Sequence, residues 1–191
     1  MNKNDEDRHE IVLIRVKAGN IMKTRTIKLP YSCNGVAHHD DHLFIATLST
    51  LHAFNMASGQ DKQLYRDQTG KNTVYRCAVS PDGSQIFITN YTENQLITLN
   101  REGTKLSTLT HPVMKEPRAI HVTAQGHVFV SCRSLGNVVQ VVGSAGTQTV
   151  TTLGGKENGL TESWSVSFNS NTNTLIVGQF ENDNIVEFKL K

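Results

Sequence analysis

The sequence predicts an all-β fold, a β-propeller of four-stranded blades. Three observations predict it: an apolar triplet recurring at a period in the forties, a fixed succession of strands and polar turns around each triplet, and a composition poor in charge. The triplets are Leu43-Phe44-Ile45, Ile86-Phe87-Ile88, Val128-Phe129-Val130 and Leu175-Ile176-Val177, and their central residues lie 43, 42 and 47 positions apart. A strand-built period of that length indicates propeller blades, because one four-stranded sheet has two apolar faces and hides neither alone. Stacking sheets about an axis buries both faces between neighbours. Charged residues make up 19% of the 191 positions, and Ser, Thr, Asn, Gln and Gly fill the deficit. Long helices with one charged face are disfavoured, and short strands joined by polar turns are favoured.

Residues 1–9 are expected to form a disordered tail. EIVLIRVK (10–17) and TRTIKL (24–29) read as the third and fourth strands of a partial blade over residues 10–30. Blades follow at 31–70, 71–112 and 113–159, and a last partial blade covers 160–191. Each repeat opens with a short alternating strand, then a polar turn (HHDD, SPDGSQ, TAQGH, NSNTNT), then the triplet as second strand. Third strands are LHAFN (51–55), QLITLN (95–100), NVVQVV (137–142) and NIVEFKL (184–190). Weaker fourth strands are KQLYR (62–66), KLSTLT (105–110) and TQTVTTL (147–153). Gly59, Gly103 and Gly146 stand where the hairpins between third and fourth strands want a positive φ. About four blades are present, so the ring is expected to be incomplete: part of a six-bladed parent, or completed by another chain. Open blade edges also favour self-association.

The bulk properties exclude some functions. A net charge of +2 is too mild for the strongly basic face that marks nucleic-acid binding by charge alone. No segment approaches the roughly 20 apolar residues that span a bilayer. The charged start, MNKNDEDRHE, is no signal-peptide core. Cys33, Cys77 and Cys132 form no C-x-x-C pair and read as free thiols in a reducing, cytoplasmic setting. No cofactor and no metal site is expected.

The run Pro117-Arg118-Ala119-Ile120-His121-Val122 leads to Gly126-His127-Val128-Phe129-Val130, then to Asn137-Val138-Val139-Gln140-Val141-Val142, then to Gly146. This succession resembles the NHL repeat: proline and a small-apolar strand, a glycine turn, an apolar strand, an asparagine, an apolar strand and a glycine. The repeat from Tyr75 to Leu109 follows it through Gly83, Asn94 and Gly103 without the proline. The resemblance covers residues 30–190 and implies a non-catalytic binding platform, of the kind found at the C-terminal end of tripartite-motif ubiquitin ligases, taking protein or RNA. Any ligase activity would lie outside this chain, because three scattered cysteines build no zinc-binding RING or B-box.

Blade topology places the links between blades and the turns between second and third strands on one face. Asn34, Tyr75, Arg76, Arg118 and Trp164 come to that face from the links, and Asn90, Tyr91, Arg133 and Phe180 from the turns. Aromatic and arginine side chains dominate binding hot spots. The same residues suit RNA, with rings stacking on bases and guanidinium groups on phosphates.

Two other patterns compete. His38, His39, Asp40, Asp41 and His42 are metal-ligand types, but they occupy a turn of the opposite face and read as a solvated hairpin. Glu162 near Trp164, with Glu116 and Asn90, faintly resembles the axial metal site of gluconolactonase-like propellers, which hydrolyse lactones with a divalent cation. No axial Asp completes that set, and no G-x-S-x-G elbow announces a serine hydrolase. The expectation is a binding module, with the lactonase as the alternative.

Overall fold

The computed structural model describes residues 9–190. The tail expected over residues 1–9 therefore lies outside the described residues, except His9, which opens the first strand. Strands β1 (His9–Lys17) and β2 (Asn20–Leu29) form a hairpin. The first four-stranded sheet holds β3 (Gly35–His39), β4 (His42–Ala46), β5 (Thr50–Asn55) and β6 (Asp61–Arg66). The second holds β7 (Arg76–Val79), β8 (Gln85–Asn90), β9 (Gln95–Asn100) and β10 (Lys105–Thr110). The third holds β11 (Pro117–Val122), β12 (Val128–Cys132), β13 (Asn137–Val142) and β14 (Thr149–Gly154). A 3-10 turn at Lys156–Asn158 leads to the last sheet: β15 (Ser163–Asn169), β16 (Thr174–Gln179) and β17 (Asn182–Lys189). Every pairing is antiparallel and sequential, the meander that one propeller blade requires.

Local chemistry closes the turns. Asn55 Oδ1 accepts the amides of Ala57 and Ser58, and Asn100 Oδ1 those of Glu102 and Thr104. Such side-chain acceptors replace a turn of backbone hydrogen bonds. Gly59, Gly103 and Gly146 have φ of 74°, 94° and 91°, the left-handed region expected of those turns.

Four apolar clusters hold the sheets together, and each is one interface between neighbours. Ile27 and Leu29 of the hairpin meet Leu43, Ile45 and Phe54. Phe44 and Leu51 meet Cys77, Ile86 and Ile88. Phe87 and Leu96 meet Val128, Val130 and Val139. Phe129 and Val138 meet Leu175 and Val177. The triplet's central residue therefore points into the following sheet, while its neighbours point into the preceding one. Strand alternation does this with no further design: period-two side chains on a sheet covered on both sides make a fully apolar run. The two end sheets differ, since each keeps one face exposed. Among the described residues the stack is open.

Candidate functional site: a ladder of rings and guanidinium groups

The first strand of each blade starts at the end of the stack where the turn between second and third strands also lies. Residues from those two segments therefore meet, and six of the nine residues expected on this face form one continuous stack. Tyr75, just before β7, meets Tyr91 of the β8–β9 turn edge-to-face at 5.0 Å. The Arg118 guanidinium, at the start of β11, lies 4.0 Å from the Tyr91 ring centre, 5.2 Å from Tyr75 and 4.9 Å from Trp164. Trp164, in β15, lies 4.7 Å from Phe180 of the β16–β17 turn. Arg133, from the β12–β13 turn, sits 4.8 Å from Phe180 and 5.5 Å from Trp164. Cation and ring thus alternate across three sheets, an arrangement favoured because the ring face is the negative end of its quadrupole.

Carboxylates fix the guanidinium groups. Glu162 Oε2 accepts from Arg133 Nε at 2.8 Å, and this ion pair raises the Arg133 pKa above its ordinary value. Glu116 lies 3.6 Å from Arg118. The Arg118 side chain is only 11% exposed, and its Nε is buried without a partner. A cleft of about 260 Å³ lies beside the ladder, lined by Arg133, Thr161, Glu162, Phe180, Glu181 and Asn182.

The other three expected residues hold the scaffold. Arg76 donates to the Asn34 carbonyl, tying the first blade to the second, and its guanidinium lies 5.2 Å from Tyr75. Asn90 is 2% exposed, and its Oδ1 accepts from Thr92 Oγ1 and the Glu93 amide. Its side chain closes the β8–β9 turn and places Tyr91, instead of facing outward.

The histidine-rich turn is not simply solvated. His39 Nε2 lies 3.1 Å from the Pro81 carbonyl, and its Nδ1 lies 3.3 Å from Arg101. It docks on the next blade, while Asp40 stays exposed. Among the described residues no group of three His, Cys, Asp or Glu side chains is placed to hold a metal ion. Glu162 and Glu116, weighed as metal ligands in the alternative reading, lie against Arg133 at 2.8 Å and Arg118 at 3.6 Å.

A second polar cluster has no counterpart in the sequence reading. Asp61 accepts from Tyr31 Oη at 2.8 Å and lies 3.1 Å from His52 Nδ1. The Tyr31 and His52 rings lie 4.2 Å apart, and His52 Nε2 is 3.1 Å from Thr50 Oγ1. Burial and Asp61 push the Tyr31 phenol above its ordinary pKa. Thr50 is 6% exposed and bonded to Thr47, so the array clamps the link from the hairpin onto the outer strands of the first blade. Residues 31, 52 and 61 follow no short motif, and nothing in the sequence announces their meeting.

No protein-family model matches the sequence, and no curated protein is similar to it. Solved structures do resemble the fold. A chain of the nidogen/laminin complex superposes with a TM-score of 0.77 at 14% identity, over 95% of this chain and 74% of that one. A chain of the mitotic checkpoint complex gives 0.67 at 19% identity, over 82% and 46%. A streptogramin B lyase gives 0.66 at 15% identity, over 95% and 59%. These neighbours are β-propeller-like proteins. The fold is a β-propeller. The chain spans about three fifths of the lyase's length and under half of the checkpoint-complex chain's. Among the described residues no helix is long and apolar enough to cross a membrane.

Proposed function

We propose that this propeller is a non-catalytic interaction module that takes a protein partner on the blade-link face, along the ladder from Tyr75 to Phe180. The observation that carries the reading is the ladder itself. Six half-buried aromatic and arginine side chains from three sheets converge there, and these residue types supply most binding energy when rigidly held. Two of the similar structures are complexes named for protein components, nidogen with laminin and the mitotic checkpoint assembly, which supports a protein partner. The NHL-like repeat supports a recognition part of a tripartite-motif-type ubiquitin ligase. Three unpaired thiols, two of them buried, support a reducing, cytoplasmic setting.

A displayed random-peptide library, panned on the immobilised chain, tests the reading. The expected result is peptides whose affinity falls by about tenfold or more in Trp164→Ala and in Phe180→Ala. Peptide binding indifferent to both substitutions removes the ladder as the site. Single-stranded RNA that binds in place of peptides, with the same dependence, reassigns the partner. Calcium-dependent lactone hydrolysis that disappears in Glu162→Gln replaces the binding reading with an enzymatic one.

A further inference from the structure

The end of the stack opposite the ladder carries the turns that follow the first and third strands of each blade. Between the second and third four-stranded sheets these turns frame a cleft of about 340 Å³. Its floor is Phe87 of β8 with Val128 and Val141 of the next sheet, 5%, 3% and 2% exposed. Val128 and Val141 pair across β12 and β13 and turn together toward Phe87. Both walls are complete blades covered on both faces, so core packing fixes the shape of the cleft.

Three glutamines stand around this floor: Gln85, Gln125 and Gln148. The backbone N–H groups of Gln85 and Gln125 are held by Ser80 Oγ and Thr123 Oγ1. The three side-chain amides make no hydrogen bond among the described residues, and each offers both donors and an acceptor. Asp82 is the one charged residue lining the cleft. Its carboxylate already accepts from Ser80 Oγ, Ser84 Oγ and the Ser84 amide. This chemistry is not a general product of the repeat. The equivalent cleft over Phe44 is lined by Lys62, Arg101 and Glu102, and its His42 and Asn55 are bonded to each other.

The lining selects a ligand by elimination. An anion would meet Asp82 with no cation opposite. A planar aromatic molecule would find no ring face to stack on, because Phe87 is buried and the rest of the wall is aliphatic. An amine would compete for carboxylate oxygens that already hold three donors. A neutral, puckered molecule with several hydroxyls fits. Each hydroxyl both donates and accepts, as each amide does, and the C–H side of the ring rests on Pro81, Ala124 and the valines. We propose that this cleft binds one neutral sugar ring, with Gln85, Gln125 and Gln148 reading its hydroxyls. The site is independent of the ladder, which lies at the other end of the stack. Its volume is at the small end for ligand clefts, and net hydrogen bonds to neutral groups are weak, so a dissociation constant on the order of millimolar is expected.

Saturation-transfer NMR tests the proposal. The probes are the methyl glycosides of glucose, galactose, mannose and N-acetylglucosamine, and the corresponding free sugars. At least one is expected to take up saturation at its ring protons; none doing so overturns the proposal. Preference for a methyl glycoside assigns a residue within a glycan chain, and preference for a free sugar assigns a monosaccharide; both support it. Ala124→Trp fills the cleft and is expected to abolish binding. Gln125→Leu and Gln148→Leu are each expected to weaken it by about threefold to tenfold. Positions 124 and 125 are exposed and 148 is half-buried, so folding survives, which circular dichroism checks. Sugar binding indifferent to all three substitutions overturns the assigned site. Ethanolamine that displaces the sugar, and no longer does so in Asp82→Asn, makes this a cation site and overturns the neutral ligand.

Discussion

At the scale of single residues, Arg118 does most to join the three blades of the ladder. It is nearly buried, touches three rings, and meets the Glu116 carboxylate at 3.6 Å. Its stabilisation comes from stacking more than from that long ion pair. Arg118→Ala should lower stability by about 2 kcal/mol, and Arg118→Lys should recover little of it, because an ammonium lacks the planar face that the rings sandwich. Urea denaturation of the three proteins measures both. Asp82 makes a different prediction. Hydroxyl donation from Ser80 and then Ser84 holds its carboxyl down at about 2, below the ordinary 3.8. A folded-state value below the unfolded one contributes stability above about pH 4, and that contribution is lost as the pH falls through 2. Asp82→Asn should therefore be less stable than wild type at neutral pH, and the gap should close between pH 4 and pH 2. Melting temperatures measured across that range decide it.

At the scale of elements, two turn glycines separate conformational need from packing need. Gly59 has a φ of 74°, and a Cβ there would meet open space. Gly136 has a φ of 59°, and a Cβ there would collide with the Thr161 carbonyl of the next blade link. Gly59→Ala should cost about 1 kcal/mol from the left-handed backbone alone. Gly136→Ala should cost about 3 kcal/mol or more, because backbone must move as well. It should also displace Glu162 and Trp164, which follow that carbonyl, and so disturb the ladder's tryptophan fluorescence. Equal costs at the two positions would refute the close-packing argument.

At the scale of the whole molecule, stability is a sum of neighbouring contacts. Each inner sheet is covered on both faces, and each end sheet on one. Opening an end sheet exposes one apolar interface, and opening an inner one exposes two. Native-state hydrogen exchange should therefore show the greatest protection in the central strands of the three inner sheets, β4, β5, β8, β9, β12 and β13. The least should appear in the β1–β2 tip and in β17. Uniform protection in dilute protein would contradict this gradient.

The sequence by itself determined the strands, the turns between them and the order of the blades. These rest on local chemistry: period-two alternation, turn glycines and Asn or Asp acceptors, and a triplet whose spacing shows how far the chain travels before it repeats. The blade-link face was legible for the same reason, because meander topology sends every link and every second turn to one end. Tertiary structure alone decided what the residues of that face do. It joined Tyr75, Tyr91, Arg118, Arg133, Trp164 and Phe180 into one stack, turned Asn90 inward, and gave Glu116 and Glu162 to arginines. It also docked His39 on the next blade and gathered Tyr31, His52 and Asp61. Each of these contacts joins residues far apart in the chain, and their energies depend on angstrom-scale distances and burial. No periodicity or short motif carries that information, since a side chain's partner is fixed only when neighbouring sheets have packed.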